Sequence, residues 1–259
     1  MYCSIIGHPL TKPRSVILWR KFFKDKNLNI KMYPTDIKDN LFDKKIDKLK
    51  HDSNFVASAI TMPYKKKIKS KVLILDQISK YANAINFIIN KKGVLHGFNT
   101  DVYGAIESVK KFKKKKIIIF GFGGAGEAIF RVFSKIYKQS SFVIISKKNK
   151  PKDVKFKKLK FLKNIVIKEF SDCDLFINCS PLGSNLKKSY LNKSPLSTKQ
   201  LSLCKKNMSI FDIVYNPKKT LLCRYAKKLN FNFINGIKMN TVQAEIALKK
   251  IENYYKKLK

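Results

Sequence analysis

An α/β fold in two parts is what this sequence predicts, and three observations predict it. Short β-branched runs alternate with longer amphipathic stretches along all 259 residues, as strands alternate with helices. Hydrophobic residues make up 44% and aromatics 12%, enough to fill a core and unlike a disordered tail. The character of the sequence breaks near Asp101, beyond which a new strand and a glycine turn open, as a second α/β part would.

Runs rich in Ile, Val and Phe predict strands at 2–6, 30–33, 55–60, 85–89, 116–120, 142–145, 174–178, 210–214 and 231–234. Apolar residues at helical spacing predict helices at 14–26, 40–50, 72–83, 102–111, 125–138, 219–229 and 241–255. No internal repeat or long linker interrupts them. The expected domains are residues 1–101, rejoined by a last helix at 239–259, and residues 102–238, with a cleft between the two.

The formal net charge is +39, and arginine contributes only Arg14, Arg20, Arg131 and Arg224. Nucleic-acid binding draws charge into one stripe and favours arginine for bidentate contacts. Lysine here is spread over nearly every predicted helix and loop, which fits compositional drift and predicts no specific nucleic-acid partner. Five cysteines, odd in number and without a C-x-x-C pair, argue against a disulfide framework or structural zinc. His8, His51 and His96 have no partners at metal-ligand spacing, so no metal is expected. No apolar run approaches the ~20 residues that span a bilayer. The N-terminus lacks the layout of a signal peptide. A soluble, cytoplasmic protein is expected.

The strongest local signal is the apolar run Lys116–Phe120 entering Gly121-Phe122-Gly123-Gly124-Ala125-Gly126 and then a helical pattern. In G-x-G-x-x-G the glycines allow a tight turn, close approach of a pyrophosphate and close helix–strand packing. The helix then presents unpaired N–H groups to the phosphates. Strand before and helix after are the context this motif needs, against a mere glycine turn. Glu127 suits the helix dipole but would repel a pyrophosphate, so it is expected to point away. A site for NAD ends its second strand in an acid that grips the ribose 2′-hydroxyl. Here the strand ends in Ser146-Lys147-Lys148, which suits a 2′-phosphate and predicts NADP(H), unless those lysines are simply solvated.

In the first half, polar residues cluster where predicted elements end. Thr61 and Lys65 follow the strand at 55–60, Asn86 follows Ala84 and Ile85, and Asp101 precedes a helix. Ligands of open α/β sheets bind beyond the carboxyl ends of the strands. Each residue also has a plainer reading. Lys65 heads a lysine run, Asp101 could cap its helix, Asn86 could close a turn, and Gln243 could sit on an exposed face. Cys179 reads as a small buried residue.

Taken in order, the segments resemble the shikimate dehydrogenase family. They are Gly7-His-Pro9-Leu-Thr-Lys-Pro13-Arg-Ser15, Ile60-Thr61-Met-Pro63-Tyr-Lys65, Ala84-Ile-Asn86 and Asn99-Thr100-Asp101. Then come Gly121–Ala125, Ser146–Lys148, Asp212-Ile-Val-Tyr215-Asn-Pro217-Lys-Lys-Thr220 and Gly236-Ile-Lys-Met239-Asn-Thr-Val-Gln243. The resemblance spans essentially the whole chain. It implies an N-terminal α/β substrate domain and a C-terminal Rossmann-type NADP-binding domain, which close over the reactants. The implied activity is NADPH-linked reversible reduction of 3-dehydroshikimate to shikimate, on the route to chorismate and the aromatic amino acids. It implies Lys65 and Asp101 as the catalytic pair, and Ser15, Thr61, Asn86, Tyr215 and Gln243 as substrate ligands. The cofactor would lie on Gly121, Phe122, Gly123, Gly124, Ala125, Ser146, Lys147, Lys148, Ile213 and Gly236.

The chain departs from the family pattern most at H-S-x-S-P, here Lys12-Pro13-Arg14-Ser15-Val16, where proline replaces the first serine. Lys12 or Arg14 is the substitute expected to hold a carboxylate. Ala59, Phe87 and Asn240 also stand where the family has Asn, Thr and Leu. The alternatives are a quinate-type or related dehydrogenase of the same fold and, more remotely, a basic binding protein that has lost catalysis. A homodimer is left open.

Overall fold

The computed structural model describes residues 1–10 and 13–258; Thr11, Lys12 and Lys259 lie outside the described residues. The chain divides into two compact units, Met1–Tyr103 with Val242–Lys259, and Gly104–Thr241.

The first unit runs β1 (Tyr2–Gly7), α1 (Arg14–Asp25), β2 (Lys31–Asp36), α2 (Phe42–Lys50), β3 (Phe55–Ile60), β4 (Ile74–Leu75), α3 (Gln77–Ala82), β5 (Phe87–Lys91), β6 (Val94–Phe98) and the head of α4 (Thr100–Val109). Its strands form one sheet in the order β2-β1-β3-β5-β6-β4. β1 runs parallel to β2 and β3, whereas β5 is antiparallel to β3 and to β6. Side chains of a strand alternate between faces, and both faces here are covered. On β1, Cys3 and Ile5 pack with Trp19 and Phe23 of α1, while Ile6 packs with Phe42, Ile46 and Leu49 of α2.

The second unit runs β7 (Lys116–Phe120), α5 (Gly124–Ile136), β8 (Ser141–Ile145), β9 (Leu159–Leu162), β10 (Leu175–Asn178), α6 (Lys188–Leu191), α7 (Thr198–Ser202), β11 (Ser209–Asp212), α8 (Leu221–Lys228), β12 (Asn232–Asn235) and the first turns of the long α9 (Gly236–Tyr255), whose remainder from Val242 belongs to the first unit. All six strands are parallel, in the order β12-β11-β10-β7-β8-β9. Counted from β7 as the first, that order is 6-5-4-1-2-3, the doubly wound Rossmann arrangement with its switch point between β7 and β10. Ile117 and Ile119 face one core and Ile118 the other, which is why this strand reads as an unbroken apolar run. The expected α/β class holds for both units.

Several elements differ from the sequence expectation. The predicted helix at 72–83 is a two-residue strand β4 followed by the short α3, capped by the Asp76 side chain on the Ser79 N–H. β6 was not expected, because His96 and Gly97 break its apolar alternation. It forms a hairpin with β5 through Lys92 and Gly93, both at positive φ, the geometry that matches strand twist. β9, α6 and α7 are short and set among lysines and serines. α9 begins at Gly236 rather than near 241.

Candidate active site

Sheet topology gathers the polar residues of the first unit at one edge. β5 is antiparallel, so its start lies beside the end of β3, with Ala59 opposite Phe87, and beside the end of β6, with Phe87 opposite Phe98. Residues just beyond β1, β3 and β6 and just before β5 therefore share that edge. Backbone bonds tie them: Thr61 N–H donates to Ile6 O at 2.9 Å, Ile60 to Asn86 O at 2.7 Å, and Asn86 to Phe98 O at 3.1 Å.

Lys65 is held there by its neighbours. Tyr64 is buried, stacks on Phe42 with centroids 4.1 Å apart, and donates its hydroxyl to Ile37 O. The carbonyl of Lys65 accepts the Ile85 N–H at 2.7 Å. The backbone of the residue is thus fixed, and its Nζ donates to Asp101 Oδ2 at 2.6 Å, both groups only partly exposed. Asp101 does not cap α4. Asn99 does, its Oδ1 accepting the Val102 N–H at 3.1 Å while its amide donates to Ala84 O at 2.9 Å.

Asn86 is buried and pins Thr100. Its Oδ1 accepts the Thr100 N–H at 2.7 Å and its Nδ2 donates to Thr100 Oγ1 at 2.9 Å. The Thr100 hydroxyl in turn donates to Gln243 Oε1 at 3.2 Å, across 143 positions of chain. Lys65, Asp101, Asn86 and Gln243 are therefore members of one constellation or its immediate support. Thr61 shares the edge. Ser15 stands half-buried on the first turn of α1, and Arg14 beside it is exposed. Lys12 lies outside the described residues. His8 has a partner that its sequence spacing did not reveal: its Nδ1 pairs with Asp36 Oδ1 at 2.6 Å. The other Asp36 oxygen accepts the Leu10 N–H at 2.8 Å. That N–H, then His8, hold the Asp36 carboxyl below the usual carboxylate range.

In the second unit, the glycine turn lies at the switch point. Gly121 has φ +94, and a Cβ on it would fall 2.8 Å from Ser180 N. A Cβ on Gly126 would fall 2.0 Å from Gly121 O, so α5 packs directly on the turn. Beside Gly123 and Gly124, by contrast, there is open space. Phe122 is buried against Phe130 and Phe161, so only its backbone faces the turn. Glu127 turns away, accepting Arg131 Nε at 2.9 Å. At the end of β8, the Ser146 hydroxyl accepts the Lys148 N–H at 3.1 Å.

Beyond β11, Asp212 is fully buried. It accepts Thr220 Oγ1 at 2.6 Å, Asn178 Nδ2 at 2.9 Å and the Val214 N–H at 3.1 Å. Those bonds shape the loop that carries Ile213 and the exposed Tyr215. Gly236 meets that loop, since a Cβ there would fall 2.0 Å from Ile213 O.

Known proteins share this architecture. A family model described as the shikimate dehydrogenase substrate binding domain matches residues 5–88. The shikimate dehydrogenase (NADP(+)) of Methanosphaera stadtmanae is 30% identical over 258 residues, covering 91% of this chain and 86% of that one. The chain belongs to the shikimate dehydrogenase family. The enzyme of the same name from Caldanaerobacter subterraneus is 27% identical, covering 94% of this chain and 89% of its own length. A crystal structure of a shikimate dehydrogenase in complex with NADP+ superposes with TM-score 0.83 at 26% identity, covering 97% of this chain and 90% of that one. The Thermus thermophilus enzyme in complex with NADP(H) and shikimate shares the fold at TM-score 0.80 and 19% identity, covering 98% of this chain and 94% of that one.

In this family member, Asn99, Thr100 and Asp212 are supporting residues to which sequence reasoning gave no role. Asn99 was detectable as a capping residue just before a predicted helix. Asp212 has a measurable signature. Burial pushes its carboxyl up to about 6, although the bonds from Thr220, Val214 and Asn178 pull the other way. In the unfolded chain the group titrates at about its ordinary value, near 3.8. The folded state therefore keeps a proton that the unfolded state releases. That contribution to stability is full below about pH 4 and is lost as the pH rises through about 6. Asp212→Asn should remove it. Relative to the variant, the wild type should lose on the order of 3 kcal/mol across that window. Denaturant unfolding at stepped pH checks this, and identical slopes for the two proteins would exclude titration of Asp212 there.

Proposed function

We propose that this chain catalyses the reversible NADPH-linked reduction of 3-dehydroshikimate to shikimate. The observation that carries the reading is the Lys65–Asp101 pair at 2.6 Å, set beside Asn86, Thr100 and Gln243 at one sheet edge. Membership of the family and the relatives' NADP(+)-linked activity support it.

The cofactor reading rests on residues that fit it. Open space beside Gly123 and Gly124 lets a pyrophosphate reach the first N–H groups of α5, which are unpaired within the helix. Phe122 and Ala125 contribute backbone to the same turn. Ser146, Lys147 and Lys148 would hold a 2′-phosphate, and Ile213 and Gly236 would line the cofactor at the loop after β11. Bound NADP(H) supplies or takes up the hydride.

The chain's own groups handle the charge and the proton. As the ring carbonyl is reduced, negative charge develops on its oxygen, and the Lys65 ammonium stabilises that charge and donates the proton. Asp101 orients Lys65 and accepts a hydrogen bond from a neighbouring ring hydroxyl. Asn86, Thr61 and Gln243 bind the remaining hydroxyls, with Thr100 fixing the amides of Asn86 and Gln243. Ser15 and Tyr215 bind the carboxylate.

Pro13 offers neither hydroxyl nor N–H, so charge must replace what the serine supplies elsewhere in the family. Arg14→Ala should raise the KM for shikimate about tenfold with kcat little changed, the loss of one charge-assisted contact. Steady-state kinetics checks this, and an unaltered KM removes Arg14 from the site. The substrate itself is tested by comparing shikimate and quinate with NADP+. The expected kcat/KM favours shikimate by at least about tenfold. A preference for quinate would reassign the substrate within the same chemistry.

A further inference from the structure

We infer that Lys163 is a specificity-determining residue that makes the proposed cofactor site selective for a 2′-phosphorylated nucleotide. The inference rests on the NADP reading above and adds a residue to it from a different strand.

β8 and β9 are parallel and in register from Phe142 opposite Leu159 to Ile145 opposite Leu162. The turns that follow them therefore lie abreast, and the Ser146 N–H donates to Leu162 O at 2.9 Å. Side chains lace the two turns in both directions. Lys163 Nζ donates to Asn149 Oδ1 at 2.6 Å and to the carbonyl oxygens of Lys147 and Lys148 at 3.2 and 3.3 Å. Lys147 Nζ donates back to Asn164 Oδ1 at 2.9 Å. With its three donors so used, Lys163 fixes the backbone of the very residues whose side chains would face the phosphate.

Charge makes the arrangement more than a structural clasp. Lys147, Lys148 and Lys163 place three cations on two adjacent turns, and among the described residues none of them has a carboxylate within salt-bridge distance. Elsewhere in this unit lysines do find acids, as Lys116 finds Glu169 and Asp172. Three like charges on a hydrogen-bonded scaffold repel one another until an anion arrives. A dianionic phosphate monoester is the ligand chemistry that relieves them. A bare ribose hydroxyl gains nothing from them.

Lys163 is a positioning residue on this account, because it acts through Lys147 and Lys148. Calorimetric titration of the purified protein with adenosine 2′,5′-bisphosphate and with adenosine 5′-diphosphate separates the possibilities without any turnover. The wild type should prefer the 2′-phosphorylated probe. Lys163→Ala should weaken that probe about tenfold and leave the other unchanged, while Lys163→Arg retains most of the preference. Melting temperature confirms that each variant is folded. Equal weakening of both probes would make Lys163 merely structural, and unchanged binding of both would remove it from the site. A wild type that shows no preference would overturn the NADP reading itself, and this inference with it. A wild type that prefers the 2′-phosphate and an alanine variant that keeps the preference would overturn only the inference.

Discussion

Lys65→Ala is expected to lower kcat for shikimate oxidation about a thousandfold while changing KM by much less. The size follows from what the ammonium is asked to do. A positioned proton donor contributes roughly 10²- to 10⁴-fold, and one removed oxyanion partner costs about 10²- to 10³-fold. The proposed mechanism places both functions on Lys65, whose backbone is anchored through Tyr64 and Ile85. Asp101→Asn should lose a large share of the same factor, since the bond at 2.6 Å that orients the lysine is weakened. The double variant should be little worse than Lys65→Ala alone, because residues that act as a unit are not additive. Stability should behave differently. The pair is a quarter to a third exposed, and such ion pairs contribute only about 0–1 kcal/mol to folding. A large fall in kcat beside a nearly constant denaturation midpoint is therefore the signature of catalysis. A matching collapse of both would mean that the pair is architectural.

Gly126→Ala should destabilise the second unit by roughly 3 kcal/mol and abolish measurable NADP(H) binding. The added methyl would sit 2.0 Å from Gly121 O, a backbone atom, with no flexible side chain to yield. Overpacking typically costs about 1–3 kcal/mol, and a backbone clash belongs at the upper end. Relief requires α5 to move off the turn, which carries its N–H groups away from where a pyrophosphate would lie. Gly123→Ala is the informative contrast. Among the described residues nothing beyond the adjoining chain lies within 4 Å of the new methyl, so the fold should be unaffected. Cofactor affinity should still fall, because the methyl occupies the space the phosphates need. Denaturant unfolding and calorimetry on the two variants check the prediction. Wild-type stability in Gly126→Ala would show that the turn is not packed as described.

What was legible in the sequence follows from what each residue was asked to do locally. β7, β8 and β10 stood out because both faces of a parallel sheet are buried, which forces unbroken apolar runs such as Ile117-Ile118-Ile119. β6 escaped notice because its pairing with β5 depends on the turn at Lys92 and Gly93 more than on its own pattern. The lysine at the second turn position hid a signal that Asn-Gly would have made plain. Among the proposed site residues, Lys65, Asn86 and Asp101 were marked by polar side chains at the ends of apolar runs, together with a resemblance in order and spacing. Their supports were not marked. Thr100 touches Gln243, and Asp212 touches Asn178, only after distant segments have been brought together. Lys163 is one lysine among many until the register of β8 and β9 sets it beside Lys147 and Lys148.

The measurement that bears most directly on the central claim is absorbance at the reduced-nicotinamide band, with purified protein, shikimate, and NADP+ or NAD+ in parallel. Rapid reduction of NADP+, slow reduction of NAD+, and loss of the signal in a folded Lys65→Ala variant are the predicted results. No reduction of either cofactor by a folded wild type, or full activity in the Lys65→Ala variant, would contradict the account.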